Sequence, residues 1–324
     1  MATQVYEPEE KDCGVAKFAN IFYGKDHNNN NFDVYFPKNI KGPLPTIFAI
    51  HGGGYISGYK EQLSRYSQMM AKNGYVVVNV EYTRADGEEK KYFLDQIKEL
   101  YSMFRFVKKS KLLSKMIDYN NIFLAGDSAG AHYASFIANL QTRSELKREF
   151  KLSGGPKIKG LIFQSPSFGI YRFGGFPLKN EYEHVIFGPK ATRSPLCDKT
   201  HCIDLLDKDF PPCIMFSASN DFVVGVHKKL FLNKAKQLDL TVKHFNITSG
   251  YKLFHDSVIN NPSKYEKTME NIREFVDSCV NGTIKKGFEN HKLSEISKKP
   301  KIKTQPKPEV CCDMEITENT EASE

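Results

Sequence analysis

No stretch of the 324-residue chain approaches eighteen consecutive apolar residues, so nothing in it reads as a membrane-crossing helix. The first fifteen residues, MATQVYEPEEKDCGV, are acidic and lack a basic segment leading into an apolar run. No secretory leader is therefore expected, and the expected location is the cytoplasm. Cysteine is sparse and irregular: the seven residues Cys13, Cys197, Cys202, Cys213, Cys279, Cys311 and Cys312 form an odd set, without a CxxC pair or a histidine pair at zinc-finger spacing. A disulfide framework and a structural zinc site are both excluded as expectations, which leaves free thiols in a reducing compartment. There is no internal repeat and no signature of a nucleic-acid-binding module.

The formal charge of +8 points to an anionic partner only until the charge is located. Residues 285–308 hold eight lysines against two glutamates, and residues 309–324 hold six acidic residues and no basic one. Such blocks are characteristic of solvated tails rather than nucleic-acid sites. A weak contact of this basic segment with an anionic surface is the most it implies.

The apolar pattern alternates between short β-branched runs and longer helical periods, the pattern of a mostly parallel sheet covered by helices on both faces. Strands are predicted over residues 32–36, 46–50, 75–82, 122–125, 160–164, 213–218 and 241–246. The runs TIFAI, YVVVNVEY and CIMFSA barely alternate, as expected of strands buried on both faces. Helices are predicted over 61–73, 93–109, 129–141, 226–238 and 263–279. The segment 165–212, rich in Gly, Pro and aromatics, is too long for a plain connection and is expected to wall a site. Everything after about Asn281 reads as tail.

Two motifs carry chemistry. Gly126-Asp127-Ser128-Ala129-Gly130 matches G-x-S-x-G, and it joins the apolar strand IFLA to a predicted helix. A sharp strand-to-helix turn exposes the serine at the helix N-terminus, and small residues two positions to either side let neighbouring backbone pass. Upstream, His51-Gly52-Gly53-Gly54-Tyr55 directly follows TIFAI. Three consecutive glycines there suit a loop that brings bare N–H groups to a developing oxyanion, a task for which Gly53, Gly54 and Ala129 are the candidates.

These residues resemble the HGGG-motif branch of the α/β-hydrolases, the hormone-sensitive-lipase-like and arylacetamide-deacetylase-like carboxylesterases, from roughly Asn31 to Asp277. The resemblance implies an α/β-hydrolase fold and the chain order glycine loop, nucleophile, acid, histidine. The loop Ser217 to Val224 after CIMFSA then supplies Asp221 as the acid, and the loop Ser249 to Ser257 after TVKHFNI supplies His255 as the base. Asp127, beside Ser128, and Asp256, beside His255, are the competing acids. Of the other histidines, His51 begins the glycine loop, His132 and His227 fall on predicted helices and His244 in a strand.

The resemblance also divides the chain into an N-terminal segment (1–16), one catalytic domain (17–282) and a basic-then-acidic, disordered tail (283–324). Only fifty residues precede His51, so the helical cap of many lipase-like relatives is expected to be rudimentary. The proline-containing segment common in the family after the third long strand is missing from residues 82–91, which bears on the shape of the pocket. The activity implied is hydrolysis of short-chain or small aromatic carboxylic esters through an acyl-enzyme on Ser128, with no metal or organic cofactor. An amide or formamide hydrolase of the kynurenine-formamidase kind shares the same machinery. A non-catalytic ligand-binding member of the fold is the reading from another class, and retention of all three triad residues weighs against it.

Overall fold

The computed structural model describes residues 9–12, 14–86, 91–169, 179–188 and 196–295. Ten strands form one sheet: β1 (Glu9–Asp12), β2 (Val15–Phe22), β3 (Asn31–Pro37), β4 (Leu44–Ile50), β5 (Val76–Val80), β6 (Ile117–Asp127), β7 (Ile158–Gln164), β8 (Cys213–Ala218), β9 (Val242–Ser249) and β10 (Phe288–Ser294), in the order β1-β2-β3-β5-β4-β6-β7-β8-β9-β10. β1, β2, β3 and β5 pair antiparallel. From β5 to β10 every pairing is parallel.

Helices α1 (Ser64–Lys72), α2 (Phe93–Lys109), α3 (Ala129–Asn139), α4 (Ser144–Glu149), α5 (Lys179–Phe187), α6 (Leu196–Lys199), α7 (Gly225–Gln237), α8 (Ser257–Asn260) and α9 (Glu266–Val280) connect the strands. Phe93 and Ile97 of α2, Tyr133 and Phe136 of α3 and Phe231 of α7 bury into one cluster. Tyr66 and Met70 of α1, Val258 of α8 and Ile272 and Phe275 of α9 bury into another. The sheet is thus covered on both faces, which is why its central strands carry no polar alternation. All five residues of β5, VVVNV, are buried, and each valine gains about 1.5–3 kcal/mol from burial. No helix among the described residues is long and apolar enough to cross a membrane.

The predicted strands and long helices are all present. Two expectations at the chain ends need correction. Within the N-terminal segment 1–16, residues 9–12 form β1 and residues 15–16 begin β2, so the sheet extends by antiparallel pairing into that segment. Residues 288–294, assigned to the disordered tail, form β10 along β9, in register from Phe288 opposite Val242 to Leu293 opposite Ile247, with a shift before Ser294 meets Ser249. The sequence FENHKLS has no apolar face to announce a strand. Backbone pairing with β9 supplies it, helped by Asn290 Oδ1 at 2.7 Å from His244 Nδ1. No helix precedes β4 among the described residues.

The chain leaves β4 for β5 on one side and comes back to β6 on the other. The carboxyl ends of β4 and β6 therefore flank a reversal of winding, the place where open α/β sheets form a crevice. The glycine loop follows β4, and Ser128 follows β6.

Candidate active site

Ser128 sits at φ 47°, ψ −115°, a left-handed-side conformation unusual for a residue with a Cβ. The turn is held from several directions. Its amide donates to Gln164 O (3.1 Å), and its carbonyl accepts from Ser167 N (3.1 Å) in the segment after β7. The two motif glycines are needed for close approach. A Cβ on Gly130 would lie 2.0 Å from Ile50 O, and one on Gly126 would lie 2.4 Å from the Gly130 carbonyl carbon. The start of α3 is thereby pressed against the end of β4, bringing the nucleophile turn beside the glycine loop.

That loop is tied to the nucleophile turn directly, because Gly52 N donates to Asp127 Oδ1 (3.0 Å). Gly53 has φ 113°, with Ser57 O only 2.0 Å from where a Cβ would stand. Tyr55 follows at φ 73°, fully buried. Its hydroxyl lies 2.7 Å from His132 Nδ1, and its carbonyl accepts from Ala85 N (3.0 Å) and Gln96 Nε2 (3.3 Å). His132 Nε2 is 2.8 Å from the carbonyl of Thr200, which can only accept, so Nε2 carries the proton and Nδ1 accepts from Tyr55. Burial depresses the His132 ring to a pKa of about 3, so it stays neutral. His51, the first residue of the motif, is buried with Nε2 at 3.1 Å from Glu81 Oε1. It supports the loop from behind.

The structure brings together the three side chains that the motif order selects. His255 Nε2 lies 3.0 Å from Ser128 Oγ, and His255 Nδ1 lies 2.9 Å from Asp221 Oδ2. Asp221 Oδ1 accepts from the amides of Val223 (3.1 Å) and Val224 (3.3 Å). Burial by itself would raise the Asp221 carboxyl. The hydrogen bond and charge of His255, with Ser165 and the Val224 amide, outweigh it and hold the group below the usual carboxylate range.

The competing acids stand elsewhere. Asp127 faces Gly52, and burial pushes its pKa up to about 6 against the pull of His51 and His255. Asp256 adopts a left-handed conformation (φ 54°) and places Oδ2 3.1 Å from His255 Nε2, on the serine side of the ring. Its Oδ1 is buried without a hydrogen-bond partner. Burial, then the charges of Asp127 and Asp221, drive its carboxyl well above the usual range. The two carboxyls beside the ring are thus shifted in opposite directions, Asp221 down and Asp256 up. Sequence reasoning weighed Asp256 only as a rival acid, and its place at Nε2 depends on a backbone conformation that no motif signals.

His227 and His244 are structural: His227 Nδ1 accepts from Phe168 N (3.0 Å), and His244 Nε2 lies 2.9 Å from Ser217 Oγ. The expected wall is described in part. Residues 165–169 run past Ser128, and Cys202 N donates to Phe168 O (2.9 Å). Residues 170–178 and 189–195 lie outside the described residues, as do 87–90 of the proline-free segment.

Comparison with known proteins agrees with this architecture. The chain is 29% identical over 240 residues to a probable isoprenylcysteine alpha-carbonyl methylesterase of Oryza sativa, covering 67% of this chain and 56% of that protein. It is 34% identical over 241 residues to a putative alpha/beta hydrolase of Acanthamoeba polyphaga mimivirus, covering 72% and 67% of the two chains. The chain spans about half the length of the first curated relatives it matches. Esterase B of Lactobacillus rhamnosis superposes with a TM-score of 0.73 at 20% identity, over 85% of this chain and 90% of that one. The family model described as BD-FAE matches residues 32–235, from β3 through the nucleophile turn and the acid loop into α7. The chain belongs to the BD-FAE family of α/β-hydrolases.

Proposed function

We propose that the protein is a serine carboxylesterase that cleaves short-chain or small aromatic carboxylic esters through an acyl-enzyme on Ser128. The observation that carries this reading is the unbroken relay Ser128 Oγ, His255 Nε2, His255 Nδ1, Asp221 Oδ2, with contacts of 3.0 and 2.9 Å. Ser128 attacks the ester carbonyl as its proton passes to Nε2. Asp221, already ionised, keeps the other ring proton on Nδ1 and stabilises the imidazolium. The tetrahedral oxyanion is received by the N–H groups of Gly53, Gly54 and Ala129, each such donor contributing about 3 kcal/mol to the transition state. His255 returns its proton to the departing alkoxide, and water then releases the acid by the same steps in reverse.

The names carried by relatives support an ester substrate. The Oryza sativa protein is called a methylesterase, and proteins of Fusarium pseudograminearum and Gibberella moniliformis are called esterases. The intact relay supports a catalytic over a purely ligand-binding use of the fold.

A p-nitrophenyl ester series from acetate to laurate tests the reading on the intact protein and on Ser128→Ala. Acetate or butyrate is expected to turn over fastest, with a loss of about 10⁴-fold or more in the variant. Faster turnover of laurate would refute the short-acyl preference. Ester turnover no greater than that of the variant would refute the esterase.

A further inference from the structure

Eight large apolar side chains are exposed among the described residues, and five of them, Phe222, Val223, Val226, Tyr251 and Phe254, flank Asp221 and His255. Phe222 is 79% exposed, more than any of the others. The two segments touch. Asn220 Nδ2 donates to Leu253 O (2.8 Å), and the Phe222 and Phe254 rings meet edge to face with centroids 5.4 Å apart. Soluble proteins scatter exposed apolar residues singly, so an aromatic cluster at the mouth of a site marks a surface with an occupant.

Charge identifies that occupant. Of the lysines between the two loops, Lys228, Lys229 and Lys252 stand at the end of the sheet that carries the rings, whereas Lys234, Lys236 and Lys243 lie toward the opposite end; the acids of this end, Asp221 and Asp256, are turned toward His255. Lys252 Nζ lies 5.4 Å over the Tyr251 ring, and Lys228 and Lys229 follow Val226 in the first turns of α7. Aromatic tips interleaved with lysines match the boundary of an anionic lipid layer, where rings enter the headgroup region and ammonium groups meet lipid phosphates and carboxylates. A second copy of the same rim would bring lysines against lysines.

We propose that this rim docks the protein on an anionic lipid surface, with the site facing the layer so that an ester held there reaches Ser128 laterally. Docking stands independently of the catalytic reading; only the delivery of an ester rests on it. The two fail separately, because docking is measured by binding and the chemistry by Ser128→Ala. A short-acyl preference is compatible with the rim, since it concerns the group transferred to Ser128 and not the remainder of the ester.

The experiment is sedimentation of the full chain with vesicles of phosphatidylcholine alone or with about a third phosphatidylserine. The wild type is expected to partition onto the anionic vesicles about tenfold more strongly than onto the neutral ones, and Phe222→Ser/Phe254→Ser to lose about tenfold or more of that binding. Leu112→Ser, at an exposed position elsewhere, should bind as wild type. Neutralising Lys298, Lys299, Lys301 and Lys303 to Gln should keep most of the binding. A melting curve checks the fold. If the double variant melts early, Phe222→Ser alone is decisive, since that side chain is already largely in water, and it should lose about threefold or more. Absence of wild-type sedimentation, wild-type binding by the Phe variants, or loss of all binding on neutralising the four tail lysines would overturn the proposal. So would a dimer in solution that the Phe variants dissolve, which would assign the rim to a second copy.

Discussion

Ser128 and the glycine loop stand on backbone confined from all sides, whereas Asp221 and His255 stand on loops whose neighbours face water. In the first region a carbonyl occupies the space a methyl group would need, as Ile50 O does at Gly130. In the second, Phe222, Tyr251 and Phe254 are exposed and the geometry is fixed by a few polar contacts. The strained turn is over-determined by packing, so the nucleophile is placed before substrate arrives. The acid and base are placed by hydrogen bonds, which leaves the surface around them free to vary.

The sharpest test of the polar side compares its two carboxylates. Asp221→Asn should lower ester turnover by about 10⁴-fold, because the amide favours the wrong tautomer of His255. Asp256→Asn, at a carboxyl whose burial disfavours its charge, should cost less than about tenfold. Comparable losses in a kcat/KM assay would show that Nε2 and Nδ1 are served by equivalent acids.

On the packed side, Gly130→Ala should destabilise the protein by about 1–3 kcal/mol in urea denaturation, since backbone must shift to admit the methyl group. Phe222→Ala should change stability by less than about 0.5 kcal/mol. Equal costs would abolish the distinction between a confined and an open region.

A smaller effect lies within the packed region, between the glycine loop and α3. Tyr55→Phe removes the hydroxyl that meets His132 Nδ1 and should cost about 1 kcal/mol of stability. Turnover should fall with little change in KM if the loop serves the transition state alone. An unchanged kcat would separate Tyr55 from the oxyanion loop.

The smallest effect is a change in pH dependence. The folded-state pKa of Asp127 is raised to about 6, so the native state holds a proton that the unfolded chain gives up near pH 4. Stability from this group is present at low pH and is lost as pH rises from about 4 through about 6. Asp127→Asn should therefore melt higher relative to wild type at pH 8 than at pH 4. A gap independent of pH would mean that the carboxyl ionises normally. Asp221 has the opposite sign: its depressed pKa contributes stability above the ordinary aspartate range that is lost as acid protonates it.

The sequence announced those parts of the fold whose stability is local or buried. β4, β5 and β8 were legible because both faces are covered and the apolar run is continuous. The nucleophile turn was legible because close approach demands glycine at fixed offsets. β10 was not, since its polar residues gain order from a neighbour remote in sequence. Asp256 was visible as a residue but not in its role, because its distance to Nε2 depends on a left-handed backbone at a non-glycine position.

The direction of β10 determines where the chain goes next. It runs parallel to β9, and Glu295 N donates to Ser249 O (3.0 Å), the residue at which the histidine loop begins. The described chain therefore ends beside the strand that leads into the His255 loop. Whatever is joined to this end of β10 is held at a raised local concentration beside that loop, so a segment attached there meets the site more often than the same segment free in solution.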